Sequence, residues 1–226
     1  MPSSCNANCS FASEETELYI SRKDPKRKLT VCVTNPLRPE EVIEQFKASG
    51  ALLEGHFVLS SGLHSSTYLQ CAIALQDPII AADFGHVIAE QFRDQNVAAV
   101  VSPAIGGIII GYEVARHLSV RFIWTERENG KMTLRRGFTV APGERVLVVE
   151  DVVTTGGSTR ETVTALQEAG ADVVAAASII DRSGGKANVG VPRSALATLV
   201  VPALDPSLCE ACARGEVAVK PGSRKQ

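Results

Sequence analysis

The sequence predicts an α/β fold, a doubly wound parallel sheet flanked by helices, with a small N-terminal subdomain. Four nearly continuous apolar runs separated by helical segments carry this prediction: VAAVVS, RFIWTE, RVLVVE and VVAAASII. Strands without polar alternation belong in a sheet that is covered on both faces, and helices between them imply parallel crossovers. Ligands of such sheets bind beyond the carboxyl ends of the strands, so the loops that follow these runs are expected to form one site.

Composition supports one main domain with a full core, since 45% of the 226 residues are hydrophobic and 21% are charged. The formal net charge of -2 gives no overall basic field for nucleic acid or an anionic membrane. No apolar run approaches the roughly 20 residues of a membrane span, and the N-terminus lacks a basic region followed by an apolar one. We therefore expect a cytoplasmic protein without nucleic-acid or membrane partners.

Residues 1–36 are predicted to be a polar, flexible extension, because they show no sustained helical or strand period and include the basic cluster SRKDPKRK. The run KLTVCV is a candidate strand at the end of this extension. Residues 37–226 are expected to form the main domain. Its small subdomain comprises residues 37 to about 75 together with the C-terminal tail, and its core spans about 76–205.

The first elements of this domain have clear boundary signals. The segment RPEEVIEQFKASG predicts a helix that begins at Pro39, with acidic residues in its first turn and Gly50 at its stop. GHFVLSSGLHSSTYLQCA predicts two short strands around Ser61 and Gly62. The next helix, DPIIAADFGHVIAEQFRDQ, is expected to be capped by Asp77.

The stretch VLVVEDVVTTGGSTRE places Glu150 and Asp151 where an apolar strand ends. A turn rich in hydroxyls and glycines follows and leads into a helix, whose start is predicted from the capping-box spacing of Ser158 and Glu161. Backbone N–H groups, hydroxyls of residues 154–158 and the helix dipole are then expected to face outward together. Such an arrangement is typical of a phosphate-binding turn.

This turn is neither a triphosphate-binding loop nor a dinucleotide fingerprint, because Gly-Lys-Ser/Thr and GxGxxG are both absent. Two adjacent carboxylates repel a bare polyphosphate, so they need a ligand that donates hydrogen bonds or carries a cation. A ribose diol meets this need. The residues therefore favour a sugar whose 5-phosphate binds the turn and whose diol binds Glu150 and Asp151, against the alternative of a capped helix with incidental acids.

The same stretch, VLVVEDVVTTGGS, resembles the phosphoribosyl pyrophosphate motif of the type I phosphoribosyltransferases, with Glu150 in place of the commoner Asp. The resemblance implies Mg²⁺-dependent transfer of ribose 5-phosphate from that donor to a nitrogenous base, with Asp151 among the catalytic residues. It does not identify the metal ligands. The residues that it implies for donor binding are consecutive: Glu150, Asp151, Val152, Val153, Thr154, Thr155, Gly156, Gly157 and Ser158.

Further segments resemble the orotate-using branch of that family. GHFVLSSGLHSSTYLQ is similar to its hood, the N-terminal subdomain that closes over base and donor, and PAIGG occupies its pyrophosphate loop. IIDRSGG is similar to the strand end whose arginine pairs with the orotate carboxylate. The resemblance implies that Arg182, with Thr154 and Tyr68, binds orotate, and that the product is orotidine 5'-monophosphate, an intermediate of pyrimidine (UMP) biosynthesis.

The segment TERENGKMTLRRGF stands where the family has a mobile basic loop. The resemblance implies that Arg127 and Lys131 are catalytic cations supplied by the neighbouring subunit of a homodimer. Ser60 and Gly106 occupy positions where the orotate-using enzymes carry lysines. These departures leave open a phosphoribosyltransferase for another base, or a regulator that binds the donor without turnover, although residues 1–36 lack a helix-turn-helix pattern.

Cysteine usage favours reduced thiols, since six cysteines occur without a secretory signal. Cys209 and Cys212 form the only CxxC. A tetrahedral zinc site there needs two more ligands, for which Cys5 and Cys9 are the nearest analogue, and inert or oxidisable thiols are favoured over that site. The hood histidines His56 and His64 are interpreted either as acid–base contacts or as hydrogen-bonded structural residues.

Overall fold

The computed structural model describes residues 37–59 and 61–221. The predictions for the 1–36 extension, including the candidate strand KLTVCV, lie outside these residues, as does Ser60. The described elements fall into a central sheet, a separate hairpin and flanking helices. The strands are β1 (Leu52–Val58), β2 (His64–Leu69), β3 (Ala99–Pro103), β4 (Arg121–Glu128), β5 (Lys131–Leu134), β6 (Arg145–Val153), β7 (Asp172–Asp181) and β8 (Arg193–Thr198). The α-helices are α1 (Pro39–Ala48), α2 (Cys71–Leu75), α3 (Pro78–Phe92), α4 (Gly107–Leu118), α5 (Gly157–Glu168) and α6 (Glu210–Ala213).

The central sheet has the strand order β5-β4-β3-β6-β7-β8. All neighbouring pairs are parallel except β4 and β5, which form an antiparallel hairpin at one edge. Asn129 and Gly130 form its two-residue turn with φ of 50° and 82°, as a tight hairpin turn requires. The parallel sheet predicted from the four apolar runs is confirmed, whereas the segment expected to be a mobile loop forms strands in this structure.

Both faces of the sheet are buried, and alternate residues of the same strand face opposite layers. Leu147 and Val149 of β6 belong to the cluster that includes α1, α3 and α4. Val146 and Val148 belong to a second cluster, which contains Val163 of α5. Two covered faces explain why the central strands β3, β6 and β7 are apolar at most positions.

The boundary signals of the first helices are confirmed. Helix α1 begins at Pro39, where the backbone N–H of Arg38 donates to the Glu41 carboxylate at 2.7 Å. Asp77 caps α3 by accepting from the backbone N–H of Ile79 at 2.9 Å. Among the described residues, the structure contains no helix with both the length and the apolar character needed to cross a bilayer.

The hairpin β1–β2 forms a separate two-stranded antiparallel sheet, as the sequence predicts around Ser61 and Gly62. The C-terminal segment, defined here as residues 200–221, runs along both of its strands. The backbone N–H of Val58 donates to the Val219 carbonyl at 2.9 Å, and His64 and Leu204 exchange two backbone hydrogen bonds of 2.8 Å. The hairpin and the C-terminal segment therefore form one small subdomain.

Candidate active site

The predicted acidic pair lies near the carboxyl end of β6, in the middle of the parallel sheet. The strand continues through Glu150 and Asp151 to Val153, four residues beyond the end at Val149 that the sequence suggested. Strands β3 and β7 flank β6 and run parallel to it, so the loops that leave these three strands share one edge. The position matches the edge at which doubly wound sheets bind ligands.

Glu150 is held by a hydroxyl from the first turn of the following helix. The buried Thr159 donates from Oγ1 to the Glu150 carboxylate. Burial raises the pKa of Glu150 to about 7, opposed by the bond from Thr159 and reinforced by the neighbouring charge of Asp151. Thr159 was not predicted from the sequence, although its place in the first helical turn after the acidic pair is a usable signal.

Asp151 lies against both the start of α2 and the loop after β3. Burial raises its pKa, while hydrogen bonds from the Val152 backbone, its own backbone and the Cys71 side chain oppose the shift. A Cβ atom at Gly106 would lie 2.7 Å from Asp151 Oδ1, so only glycine fits there without displacing the carboxylate. The predicted pyrophosphate loop is thus directly next to the acidic pair, and Ile105 in that loop is 84% exposed.

The turn between β6 and α5 has the geometry of an anion-binding site. Gly156 has φ of 75°, and a Cβ there would lie 2.8 Å from a methyl group of Val189, so both conformation and space demand glycine. Helix α5 begins at Gly157, with Gly156 as its N-cap. Because glycine has no side chain, it leaves the N–H groups of the first turn available to a ligand.

The capping box predicted from Ser158 and Glu161 is wrong. The helix begins before Ser158, and the Glu161 carboxylate instead forms an ion pair with Arg127 at 2.8 Å. The left-handed conformation of Gly156 starts the helix early, which places Ser158 inside the first turn instead of ahead of it. Binding of the donor phosphate by the Ser158 hydroxyl stays a prediction.

The other residues of the turn divide into exposed hydroxyls and buried apolar side chains. Thr154 and Thr155 are exposed. The Val153 side chain is buried, and the partly buried Val152 packs against the hydrophobic core. The Val153 carbonyl accepts from the backbone N–H of Arg182 at 2.8 Å. Any ligand contact of the two valines must therefore come from the backbone, while the threonines also offer side-chain donors.

Arg182 follows β7 and has a buried Nε that lacks a hydrogen-bond partner among the described residues. Burial lowers the pKa of this guanidinium, which still stays cationic, and nearby Cys71 and Tyr68 interact with it electrostatically. The Tyr68 hydroxyl donates to the Gln70 side chain at 3.4 Å. Arg182 and Asp151 both interact with Cys71, so the predicted base ligand and the predicted sugar ligand are close neighbours.

Asp181 fixes the turn that contains Arg182, and sequence reasoning did not identify it. Its carboxylate accepts from the backbone N–H groups of Ser183 at 2.8 Å and Gly185 at 2.9 Å, and pairs with Arg193 at 3.0 Å. Burial opposes ionisation of Asp181, but these bonds outweigh it and hold the pKa below its ordinary value. The arginine is thus positioned by a well-anchored turn.

The two predicted loop cations lie on the β4–β5 hairpin. Arg127 pairs with Glu161 and also donates to the Gly130 carbonyl at 2.6 Å, while Lys131 is exposed at the start of β5. Within residues 37–59 and 61–221, no hydrogen bond or ion pair joins either cation to the acidic pair. Their catalytic role therefore stays a prediction.

Comparison with known proteins identifies relatives of both sequence and fold. The protein-family model described as phosphoribosyl transferase domain matches residues 73–192 of this chain. The orotate phosphoribosyltransferase of Desulforamulus reducens is 52% identical over 186 residues, which cover 82% of this chain and 97% of that protein. The enzyme of the same name from Thermotoga maritima is 52% identical over 185 residues, with the same coverage of both chains.

Solved structures agree on the architecture. Orotate phosphoribosyltransferase from Aeropyrum pernix is 31% identical with a TM-score of 0.58, and the match covers 70% of this chain and 93% of that one. Adenine phosphoribosyltransferase from Thermoanaerobacter pseudethanolicus has a TM-score of 0.52 at 14% identity, covering 59% of this chain and 88% of that one. At 14% identity, the similarity to the adenine phosphoribosyltransferase shows a shared fold and nothing about the substrate.

Proposed function

This chain belongs to the phosphoribosyltransferase family, and on that premise we propose that it transfers ribose 5-phosphate from phosphoribosyl pyrophosphate to orotate. The products are orotidine 5'-monophosphate and pyrophosphate, so the reaction is a step of pyrimidine biosynthesis. Relatives at 52% identity that carry the name orotate phosphoribosyltransferase support this activity. The family and the fold expected from the sequence are both confirmed.

The observation that carries the proposal is the grouping of three chemically different ligand sites at one sheet edge. Glu150 and Asp151 offer carboxylates to the ribose diol, and the glycine-rich turn at the start of α5 offers N–H donors to the 5-phosphate. Arg182 offers a partly buried guanidinium whose buried Nε has no hydrogen-bond partner within the part of the chain that the structure describes. A base that carries a carboxylate supplies the partner that this guanidinium needs, and orotate is such a base.

Transfer breaks the bond between the anomeric carbon and pyrophosphate, which builds positive charge on the ribose and negative charge on the leaving group. The protein needs no covalent nucleophile, because it can hold both ends of the donor in place and exclude water. The acidic pair lies on the ribose side of that bond. The PAIGG segment, whose Gly106 lies against Asp151, would receive the leaving pyrophosphate.

The acidic pair also fits Mg²⁺, which prefers carboxylate oxygens and phosphate oxygens as ligands. Burial raises the pKa of both carboxyl groups, because it disfavours their charged forms. A nearby cation or hydrogen-bond donor stabilises the charged forms. When bound, Mg²⁺ would supply positive charge to the pyrophosphate. Glu150 and Asp151 are the residues that we propose to hold it, directly or through the ribose hydroxyls.

We extend the proposal to a cytoplasmic homodimer in which the β4–β5 hairpin serves the neighbouring site. Arg127 and Lys131 would then reach the pyrophosphate from the partner subunit and stabilise its developing charge. The ion pair between Arg127 and Glu161 must open for this contact to form. Both side chains are exposed, so the cost of opening is small.

The proposed activity is tested by following orotate absorbance with donor and Mg²⁺ present and with each omitted in turn. We expect consumption only in the complete mixture. Turnover of adenine or uracil in place of orotate would indicate a phosphoribosyltransferase for another base. Donor binding by calorimetry without turnover of any base would indicate a regulator.

Activity is expected to depend on the ionisation of Glu150. Its pKa is raised to about 7, so the carboxyl is neutral below that pH and negatively charged above it. The charged carboxylate accepts hydrogen bonds from ribose hydroxyls much more strongly than the neutral acid, so kcat/KM for the donor should rise with pH through about 7. The measurement is a pH profile of the wild type beside Glu150→Gln.

The variant controls for titration of the donor phosphates, which is common to both profiles. We expect Glu150→Gln to lose the inflection that belongs to the enzyme. Superimposable profiles for the two proteins would show that Glu150 does not control donor use in this range.

A further inference from the structure

Four side chains of the types that bind metal ions converge where the β1–β2 hairpin meets the C-terminal segment. This group, called here the Cys2His2 cluster, consists of His56, His64, Cys209 and Cys212. Each residue offers one ligand atom, and these four atoms all lie within 4.8 Å of one another. The first three residues are buried and Cys212 is partly exposed, so the cluster is enclosed largely by protein.

The sulfur–nitrogen distances within the cluster are close to those of tetrahedral coordination. Cys212 Sγ lies 3.2 Å from His64 Nδ1 and 3.6 Å from His56 Nε2, and Cys209 Sγ lies 3.4 Å from the same His56 nitrogen. A zinc ion with ordinary bond lengths separates sulfur from nitrogen ligands by about 3.6 Å. The two imidazole nitrogens are 2.8 Å apart and would need to separate by about 0.5 Å to admit the ion.

The hydrogen bond on the far side of His56 prepares this residue to bind a metal. His56 Nδ1 lies 3.1 Å from the backbone carbonyl of Glu216 and donates to it as an N–H group. The neutral ring then carries its lone pair on Nε2, the nitrogen that faces the two cysteines. Histidine ligands in metal sites are commonly oriented by this kind of contact.

We propose that the Cys2His2 cluster binds one Zn²⁺ ion in tetrahedral coordination. Two thiolates and two imidazoles are a characteristic zinc ligand set. A two-iron cluster divides its ligands between two metal ions and bridging sulfides, which does not fit four ligand atoms within 4.8 Å. Because the protein fills all four positions, the ion is structural and takes no part in the transfer reaction.

The ion would reinforce the backbone hydrogen bonds that join the hairpin to the C-terminal segment. The hairpin is a two-stranded sheet separate from the central sheet, and such a hairpin is marginally stable by itself. Helix α6, which contains Cys212, has four residues. The cluster connects positions 153 residues apart, His56 and Cys209, and so stabilises the hairpin that also carries Tyr68.

The cluster supplies a set of ligands for the CxxC that was not considered from the sequence. Cys5 and Cys9, the partners considered from the sequence, lie outside the described residues. The fold instead brings His56 and His64 to Cys209 and Cys212. The interpretation of these histidines as hydrogen-bonded structural residues is closer to the observed contacts than a role in acid–base chemistry.

The proposal is tested on the full-length chain without an affinity tag, purified without chelator and analysed for metals. We expect one zinc per chain in the wild type and its loss in Cys209→Ser, Cys212→Ser and His64→Gln. Replacement by Co²⁺ should give the visible bands of a tetrahedral site and an ultraviolet thiolate-to-metal band. The cobalt spectrum of the wild type decides the question even if a variant fails to fold.

Two variants serve as matched controls, the double variant Cys5→Ser/Cys9→Ser and His117→Gln. His117 contacts another histidine, His86, at a ring distance of 5.1 Å, but it is not part of the cluster. Both controls should keep one zinc per chain. Loss of zinc in either control would overturn the ligand assignment. Wild-type protein with no zinc and no thiolate–cobalt band, or with a Cys209–Cys212 disulfide by mass spectrometry, would overturn the site itself.

Discussion

Replacing Asp151 by Asn is expected to lower kcat/KM for phosphoribosyl pyrophosphate by at least about 100-fold, the loss typical of one preorganised charged contact. The amide keeps the shape of the side chain but cannot present a charged acceptor to a ribose hydroxyl. It also removes negative charge from the side of the donor on which the ribose becomes cationic. Steady-state kinetics with saturating orotate measures the effect.

The fold of this variant should remain intact. Burial raises the pKa of Asp151, so ionisation of the carboxyl costs stability as the pH rises, and a neutral amide removes that cost. The unfolding temperature is therefore expected to be unchanged or higher. Asp172→Asn is the matched control, since Asp172 begins β7 at the opposite end of the sheet and is half-exposed. Near-normal kinetics for Asp151→Asn would exclude this residue from the site.

Replacing Arg182 by Ala is expected to raise the KM for orotate by roughly tenfold to a hundredfold, the equivalent of about 1.5–3 kcal/mol for a hydrogen bond to a charged group. The KM for phosphoribosyl pyrophosphate should change much less. The reason is that the guanidinium is predicted to meet the carboxylate of the base, whereas the donor binds the acidic pair and the glycine-rich turn. Initial rates with each substrate varied in turn give the two constants.

Arg145→Ala provides the matched control for Arg182→Ala. Arg145 forms a half-exposed ion pair with Asp172 at 2.7 Å, at the amino end of the same sheet, so its loss should leave both constants unchanged. Arg182→Ala should also fold normally, since the buried Nε has no partner to lose within the described residues. An equal rise in both KM values would instead assign Arg182 a structural role.

The core of this fold was predicted well from the sequence, because strands that are buried on both faces consist mostly of apolar residues. Strands β3, β6 and β7 are apolar at nearly every position, and the acidic pair interrupts that pattern in β6. Local signals also placed the start of α1 at Pro39 and the cap of α3 at Asp77. These features depend on residues that are close together in the chain.

Predictions from local sequence signals were wrong where the chain adopts a different conformation from the one that the local pattern favours. Ser158 and Glu161 have capping-box spacing, but the left-handed Gly156 begins the helix earlier and Arg127 takes the Glu161 carboxylate. The start of β4 was predicted as a strand, but residues 125–138 were expected to be a mobile loop on the basis of resemblance alone, and the structure extends β4 to Glu128 and forms β5 within that segment. The Asn-Gly pair at 129–130 is the sequence signal for the hairpin that the structure contains.

Contacts between distant segments were beyond the reach of sequence patterns. Cys71 contacts Asp151, which is 80 positions away in the chain, and no local sequence pattern at either residue predicts that contact. The Cys2His2 cluster likewise combines a CxxC with histidines on two strands, in place of the His-x₃₋₅-His spacing of common zinc motifs. Only the fold of the small subdomain, formed by the β1–β2 hairpin and the C-terminal segment, brings the four residues of the cluster together.

A crystal structure with phosphoribosyl pyrophosphate and Mg²⁺ tests the central claim most directly. The predicted result is a 5-phosphate hydrogen-bonded to the backbone N–H groups and hydroxyls of residues 154–158, with both ribose hydroxyls within hydrogen-bonding distance of Glu150 and Asp151. A ribose phosphate bound elsewhere, with the acidic pair facing only water, would contradict the assignment of this turn and this pair as the donor site.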